Sequence, residues 1–353
     1  MRLRAALPSA DLYVSQKLSA YAPPDALPLP LPMGPMLAET FTSYDCHIFI
    51  ISVGAVVRMI APLLRDKKTD PAVVCVDDDA RWSICVLSGH VGRGNAFADR
   101  VASALGAQPV ITTASDVRGT LTVDILGREK GWTLDDPDRN VTRGCAAVVN
   151  AAPVLFVQET GDADWWPLDR PLPLGVTYTE SLDAVDAAAY EILLIASDRD
   201  LRRTHPAHFE NAVIYRPRSL VLGIGCDKGT APDLVERGVR LLLERHGLAI
   251  ASVRSLASID VKSDEPAILR LSERLHWPLQ TYPAAQLDVV PGIENPSSTV
   301  MKHVGTRGVA EPAALLAAGA EKLLVPKQSY TEQGAGRSMT LAVARIPFAK
   351  RKA

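Results

Sequence analysis

His90 lies in a run, Val86-Leu87-Ser88-Gly89-His90-Val91-Gly92-Arg93-Gly94-Asn95, whose residue types suit proton transfer beside a bound anion. Imidazole is the side chain that trades a proton near neutral pH. Gly89, Gly92 and Gly94 permit positive φ and close backbone approach. Asn95 to Leu105 has helical patterning, so N–H groups at a helix start would face an anion or a developing oxyanion. Thr112, Thr113 and Asp116 follow the next apolar segment. In an open parallel sheet the carboxyl ends of successive strands line one crevice, which would bring His90, Ser88 and Asp116 together as the catalytic group. Gly89, Gly92, Asn95, Thr112 and Thr113 would surround the substrate. Arg58 and Lys67, in and after an earlier helix, are candidate partners for substrate carboxylates, or else a solvated face. For the whole stretch the alternative is a plain strand–turn–helix with a surface histidine.

A second constellation reads Gly223-Ile224-Gly225-Cys226-Asp227-Lys228-Gly229-Thr230. It fits neither nucleotide fingerprint. The dinucleotide pattern needs glycine where Lys228 stands, and the Walker pattern needs lysine where Thr230 stands. A Gly/Lys/Thr turn at a helix start still suits a carboxylate. Cys226 is a nucleophile only if Lys228 and the helix start favour its thiolate; a structural thiol is the simpler reading. Asp260, Lys262 and Glu265 cluster ahead of another helix, and Pro266 stands where a capping box would place an acidic residue. Asn295 and Ser297 flank Pro296, with Asn295 as the expected helix cap. Lys327 stands where a strand runs out. With Gly223, Gly225, Lys228, Gly229 and Thr230, these form the second candidate binding set.

The elements that must position these groups read as α/β. Buried-type strands are expected at 47–51, 72–76, 84–87 and 109–112, with helices at 52–64, 95–105 and 121–130. The six prolines between Tyr21 and Met36 exclude a helix or central strand there. Residues 132–217 read as a small α+β middle module, in which Trp165 and Trp166 suit packing and rim positions. From 218 a second α/β unit begins, with strands at 220–224, 277–282, 322–325 and 339–345 and a long amphipathic helix at 231–246. The expected organisation is therefore two parallel-sheet-based α/β domains, 1–131 and 218–353, joined by the module. Composition supports a soluble enzyme: 353 residues, 47% hydrophobic, 22% charged, net charge −2. That charge argues against nucleic acid and against a membrane surface as partners. The five cysteines are scattered without a CxxC or Cys/His cluster, so no structural metal or disulfide framework is expected. A cytoplasmic location is expected, since no secretory or membrane-spanning run is visible.

These residues carry a resemblance. The third part resembles the C-terminal domain of the CbiG family of cobalamin biosynthesis, also known as the free-standing CobE-type protein. The matching motifs are GIGCDKGT (223–230), LASIDVKSDEPAIL (256–269), NPSSTVMKHVGTRGVAEPAALLAAG (295–319) and LLVPKQ (323–328). The first part is similar to the family's N-terminal domain through VVRMIAPLLRDKKTDPAVVCVDD (56–78), LSGHVGRGNAFADRVASALGAQPVITTASDV (87–117) and the following Asp124. The resemblance implies hydrolysis of cobalt-precorrin-5A, a ring-contracted tetrapyrrole lactone with many carboxylates, with acetaldehyde leaving. It implies that cobalt belongs to the substrate and that the protein holds no cofactor of its own. Passing contacts with neighbouring corrin-pathway methyltransferases and a homodimer fit the same expectation. A non-catalytic corrinoid carrier or scaffold is the main alternative; an unrelated nucleotide-binding protein is a weaker one. His90 would be the general base, the 92–95 amides the oxyanion site, and Asp116 the group that orients His90. The family usually opens with an apolar strand that has no counterpart before the Phe49 strand, so either the start codon is assigned too late or the sheet lacks that strand and exposes its neighbour's edge.

Overall fold

The computed structural model of the chain describes residues 2–334, 336–349 and 351. The outermost residues of the predicted first and third domains, Met1 and 352–353, lie outside these. The chain divides into two compact units, Met1–Ile125 and Leu126–Ala353.

In the first unit, β1 (Tyr13–Ser15) and β2 (Leu27–Leu29) form a two-stranded parallel ribbon. The proline-rich segment thus supplies a short strand after all, and Pro35 opens a helix, Gly34–Thr40. Both fit proline's limits, because the strand lies in a ribbon of two and the proline stands in a helix's first turn. The main sheet runs β3 (Cys46–Ile50), β4 (Ala72–Val76), β5 (Trp82–Leu87), β6 (Gln108–Val110), in that order. β3 is an edge strand among the described residues. The sheet is mixed, because β4 and β5 pair antiparallel. Five residues, 77–81, separate them, enough for a hairpin turn and too few for a crossover. Asp77 closes that turn by accepting the Trp82 amide at 2.7 Å. β5 and β6 are parallel, so their carboxyl ends share one end of the sheet.

The helix predicted at 121–130 is absent. Turns replace it, ending in a single 3-10 turn, Arg128–Lys130. Gly127 and Gly131 both have positive φ, and a Cβ on Gly127 would lie 2.2 Å from the Trp132 ring. The segment folds around that buried indole rather than along a helix axis.

The second unit holds two sheets. The first contains β7 (Thr133–Leu134), β8 (Val154–Gln158), β9 (Val176–Thr179), β10 (Ile192–Ala196) and β11 (Ala212–Arg216), in spatial order β7-β11-β10-β8-β9. Only the β7–β11 pair is antiparallel. What reads as α+β in sequence is therefore a parallel α/β layer, whose central strands are buried along their whole length. Trp165 packs against Phe156 in a tilted pair, ring centroids 3.9 Å apart, and donates to Gln158 Oε1, a core role. The second sheet contains β12 (Leu220–Cys226), β13 (Val253–Ile259), β14 (Leu279–Tyr282), β15 (Leu323–Thr331) and β16 (Ser338–Arg345), in order β14-β13-β12-β16-β15. The helices Pro232–Arg245 and Pro266–Leu275 cover one face through Leu234, Val239, Leu242, Ile268 and Leu271. The Ala310–Ala318 helix covers the other. Small residues let that helix approach closely: a Cβ on Gly223 would lie 1.8 Å from the Ala310 carbonyl. The two sheets are tied by Asp198, fully buried, which accepts from Arg345 Nε and Nη2 at 2.7 Å each and from the Ser219 hydroxyl at 2.8 Å. Among the described residues no helix is long and apolar enough to cross a membrane.

Candidate active site

The turn after β5 and the helix Ala114–Arg118 after β6 meet at the shared end of the sheet. His90 is held there between two carboxylates. Its Nε2 lies 2.8 Å from Asp116 Oδ2, and its Nδ1 lies 3.3 Å from Asp124 Oδ1. Ser115 Oγ is 3.1 Å from the same Nε2. Asp116 Oδ2 also accepts from Asn95 Nδ2 at 2.9 Å and from the Thr113 hydroxyl. Asn95 Nδ2 reaches Thr113 Oγ1 at 2.8 Å, so one buried amide braces both the carboxylate and its Thr113 partner.

The electrostatics follow from this clamp. The Asp124 carboxylate, aided by Asp116, raises His90 to about 9 against the opposing effect of burial. For Asp116, burial pushes the carboxyl upward, but the donors Thr113, His90 and Asn95 outweigh it and leave it below its ordinary value. The resting pair at neutral pH is imidazolium and carboxylate.

The glycines act by close approach. Gly89, Gly92 and Gly94 have no positive φ; Ser88 and Arg93 take the left-handed backbone, with φ of 54° and 63°. A Cβ on Gly89 would lie 2.7 Å from Asn95 Oδ1, and one on Gly94 2.6 Å from the Leu87 carbonyl. Left-handed non-glycine residues cost free energy and cluster at functional sites.

Two expectations at this turn are corrected. The Arg93, Gly94 and Asn95 amides donate to the His90, Ser88 and Gly89 carbonyls at 3.0, 2.9 and 3.0 Å. They close the turn and are not open to an oxyanion. Ser88 Oγ donates to the Asp70 carbonyl at 2.9 Å, so the hydroxyl anchors the loop before β4 and does not pair with His90. Thr112 and Lys67 are exposed; Lys67 lies on the loop that Ser88 anchors. Arg58 is exposed on the Val53–Ile60 helix, its Nη1 3.5 Å from the Gly54 carbonyl. Asp124 is the functional residue that reasoning from spacing misses, since it stands in the segment predicted as helix; only its place after the Asp116 motif marks it.

The second set converges in part. A cleft of about 220 Å³ opens where β12, β13 and β16 end and begin, and its lining includes Gly225, Lys262, Asn295, Ser297 and Lys327. Glu265 holds Lys262 Nζ at 2.8 Å and the Gly229 amide at 2.9 Å. Burial pushes its carboxyl upward, but those donors leave it below its ordinary value. Ser297, not Asn295, caps the Ser298–Val304 helix. Asn295 is drawn away by Glu311, which is 1% exposed. Glu311 accepts from the Glu294 and Asn295 amides, from Asn295 Nδ2 and from the Lys327 amide, at 2.8 to 2.9 Å. The rest of the set lies elsewhere. Gly223 is packed against the Ala310–Ala318 helix, and no ligand reaches it. Thr230 is buried and donates to the Asp227 carbonyl. The Gly229 amide is used by Glu265, Lys228 is exposed, and Asp260 Oδ1 accepts the Val261 amide. Burial pushes the Cys226 thiol up to about 11, so it is a packing thiol rather than a nucleophile. Among the described residues no group of three or more His, Cys, Asp or Glu is disposed to hold a metal ion.

Three family models cover most of the chain: Cobalamin synthesis G N-terminal at residues 35–116, Cobalamin biosynthesis central region at 121–217, and Cobalamin synthesis G C-terminus at 220–344. A cobalt-precorrin-5A hydrolase of Priestia megaterium is 42% identical over 315 residues, spanning 89% of this chain and 82% of that protein. A cobalt-precorrin-5A hydrolase of Salmonella typhimurium is 30% identical, over 87% of this chain and 84% of that protein. The crystal structure of CobE, a protein from the cobalamin biosynthetic pathway, aligns with 36% of this chain and 92% of that chain at 32% identity, with a TM-score of 0.33.

Proposed function

The chain belongs to the cobalamin synthesis G (CbiG) family, and from that membership we propose that it hydrolyses the lactone of cobalt-precorrin-5A with release of acetaldehyde. The observation that carries the reading is the 42% identity to a cobalt-precorrin-5A hydrolase across 89% of the chain. Cobalt enters in this reading as part of the substrate, and the tetrapyrrole is the partner molecule.

The His90 cluster supplies the chemistry of lactone opening. Water adds to the carbonyl carbon, the ring C–O bond breaks, and the departing alkoxide takes a proton. A histidine raised to about 9 is already protonated at neutral pH, so its role is to donate that proton, not to deprotonate water. Asp116 and Asp124 hold the imidazolium in place, and they are the proton acceptors of the same cluster. The new hydroxyl then gives its proton to the His90 imidazole, neutral after its donation, as the adjacent C–C bond breaks. Acetaldehyde leaves, and the bond's electron pair passes into the conjugated ring.

Purified protein incubated with cobalt-precorrin-5A should release one acetaldehyde per macrocycle, measured by coupled alcohol dehydrogenase. His90→Gln should lower the rate by about 10²–10⁴-fold, the usual worth of a positioned acid–base group. Spectral binding of the substrate without any acetaldehyde would show a carrier instead.

A further inference from the structure

The cleft belongs to the second unit, as the His90 cluster belongs to the first, and its construction points to a ligand. Its floor is apolar, with Ile259, Val300, Val309 and Met339 among its lining residues. Lys327 stands on its wall at a break in the sheet. The β15–β16 register skips from Val325 to Gln328, which releases Pro326 and Lys327 from the ladder. Such bulges re-aim side chains beside sites. The Lys327 ammonium donates to the Asn295 carbonyl at 2.6 Å, a neutral acceptor, and two of its three protons remain for a ligand. Lys262, the other lysine of the lining, is matched by the Glu265 carboxylate at 2.8 Å. Asp227, the cleft's exposed acid, directs Oδ2 to the Ser338 amide and hydroxyl at 2.7 and 3.0 Å. Beneath the wall, Glu311 is buried as an acceptor for four N–H groups, none of them from a charged side chain. Burying a carboxylate is costly, and here its effect is to fix Asn295 and the Lys327 backbone at the cleft.

We propose that this cleft binds a ligand carboxylate carried on a short apolar stem, with Lys327 receiving the charge and the apolar floor receiving the stem. At about 220 Å³ the cleft is smaller than the roughly 300–1,000 Å³ of sites that enclose a whole small molecule. It therefore takes one arm of a larger ligand, whose body stays outside. The inference rests on the proposed function in one respect: a polycarboxylate macrocycle is the ligand that brings such an arm.

Spectral titration of the full chain tests it with two probes. Dicyanocobyrinic acid is a cobalt corrin whose arms end in carboxylates; dicyanocobinamide is its amidated counterpart. The wild-type protein should prefer the acid. Lys327→Met, which keeps the stem and removes the charge, should weaken the acid about tenfold and leave the amide unchanged, as loss of one charge-assisted hydrogen bond does. Lys327→Arg should restore the preference, and His90→Gln should leave it intact. A wild-type protein that fails to bind the acid or binds both probes equally overturns the proposal, as does Lys327→Met titrating like wild type. Acetaldehyde release that persists beside an unchanged Lys327→Met titration removes the cleft and keeps the reaction. A Lys327-dependent titration without any acetaldehyde does the reverse.

Discussion

Whether His90 gives or takes a proton is decided by the two carboxylates beside it. A histidine with one carboxylate partner is a familiar general base; a second partner on the other nitrogen changes the balance toward the cation. Asp124 is the largest cause of the rise to about 9. Hydrolysis that uses the imidazolium should hold steady through neutral pH and fall as pH rises through about 9. Asp124→Asn should move that fall to lower pH. A rate that climbs with pH toward 9 would return the base role to His90. The same cluster affects stability with a worked sign. The folded value lies above the ordinary 6.5, so the stabilisation is complete below about 6.5 and is lost as pH rises through about 9. A chemical-denaturation series over pH 6–10 reads this loss, and His90→Gln should flatten it. In the sequence, His90, Asp116, Thr113 and Asn95 are legible because a glycine-rich turn and a strand-end threonine are local signals. Asp124 is not, because nothing within its own segment marks where a turn will carry it.

At the scale of elements, the main features follow from patterning and the departures follow from connection length. Continuous apolar runs announce β4, β8, β10 and β11 without alternation, as strands buried on both faces do. The antiparallel β4–β5 pair is decided by the five residues between them, which a count of apolar positions ignores. The direction matters for the site, since β5 running parallel to β6 is what brings the His90 turn and Asp116 to one end. Gly223 shows the other limit of sequence reading. As part of a glycine-rich motif it resembles a phosphate cradle, yet the structure uses it to seat a helix on a strand. Gly223→Ala should therefore destabilise the protein by roughly 3 kcal/mol, the upper range for overpacking a rigid core. Urea melts followed by circular dichroism would measure it. Unchanged stability would mean that the Ala310–Ala318 helix can withdraw from β12 at little cost.

At the scale of the molecule, the second and third sequence regions form one compact unit, and Asp198 is one of the residues that join their sheets. Its carboxylate is fully buried and receives Arg345 from β16 through two hydrogen bonds, while Ser219 at the start of β12 supplies a third. Arg345 is 36% exposed, so removing Asp198 leaves a charge that water can reach, and the cost lies below the roughly 3–5 kcal/mol of a fully buried pair. Asp198→Ala should accordingly raise amide exchange in both β10 and β16, read by hydrogen–deuterium exchange; a rise confined to one sheet would show that the two are only loosely joined. Patterning announces an α+β module and an α/β domain here but cannot show that Asp198 ties their sheets, because its partners lie 21 and 147 residues away. Charge at this scale has a further consequence for the His90 cluster. One imidazolium between two carboxylates leaves the cluster at minus one while the substrate is a neutral lactone at the reacting carbon. Once the lactone opens, the proton that water passes to Asp116 or Asp124 balances the one His90 gives up, so the cluster stays at minus one, while the product loses its acid proton to solvent and gains a carboxylate at that carbon. A negative group now faces the negative cluster where a neutral ester stood before, so the act of hydrolysis itself drives the product outward and readies the turn for the next ring.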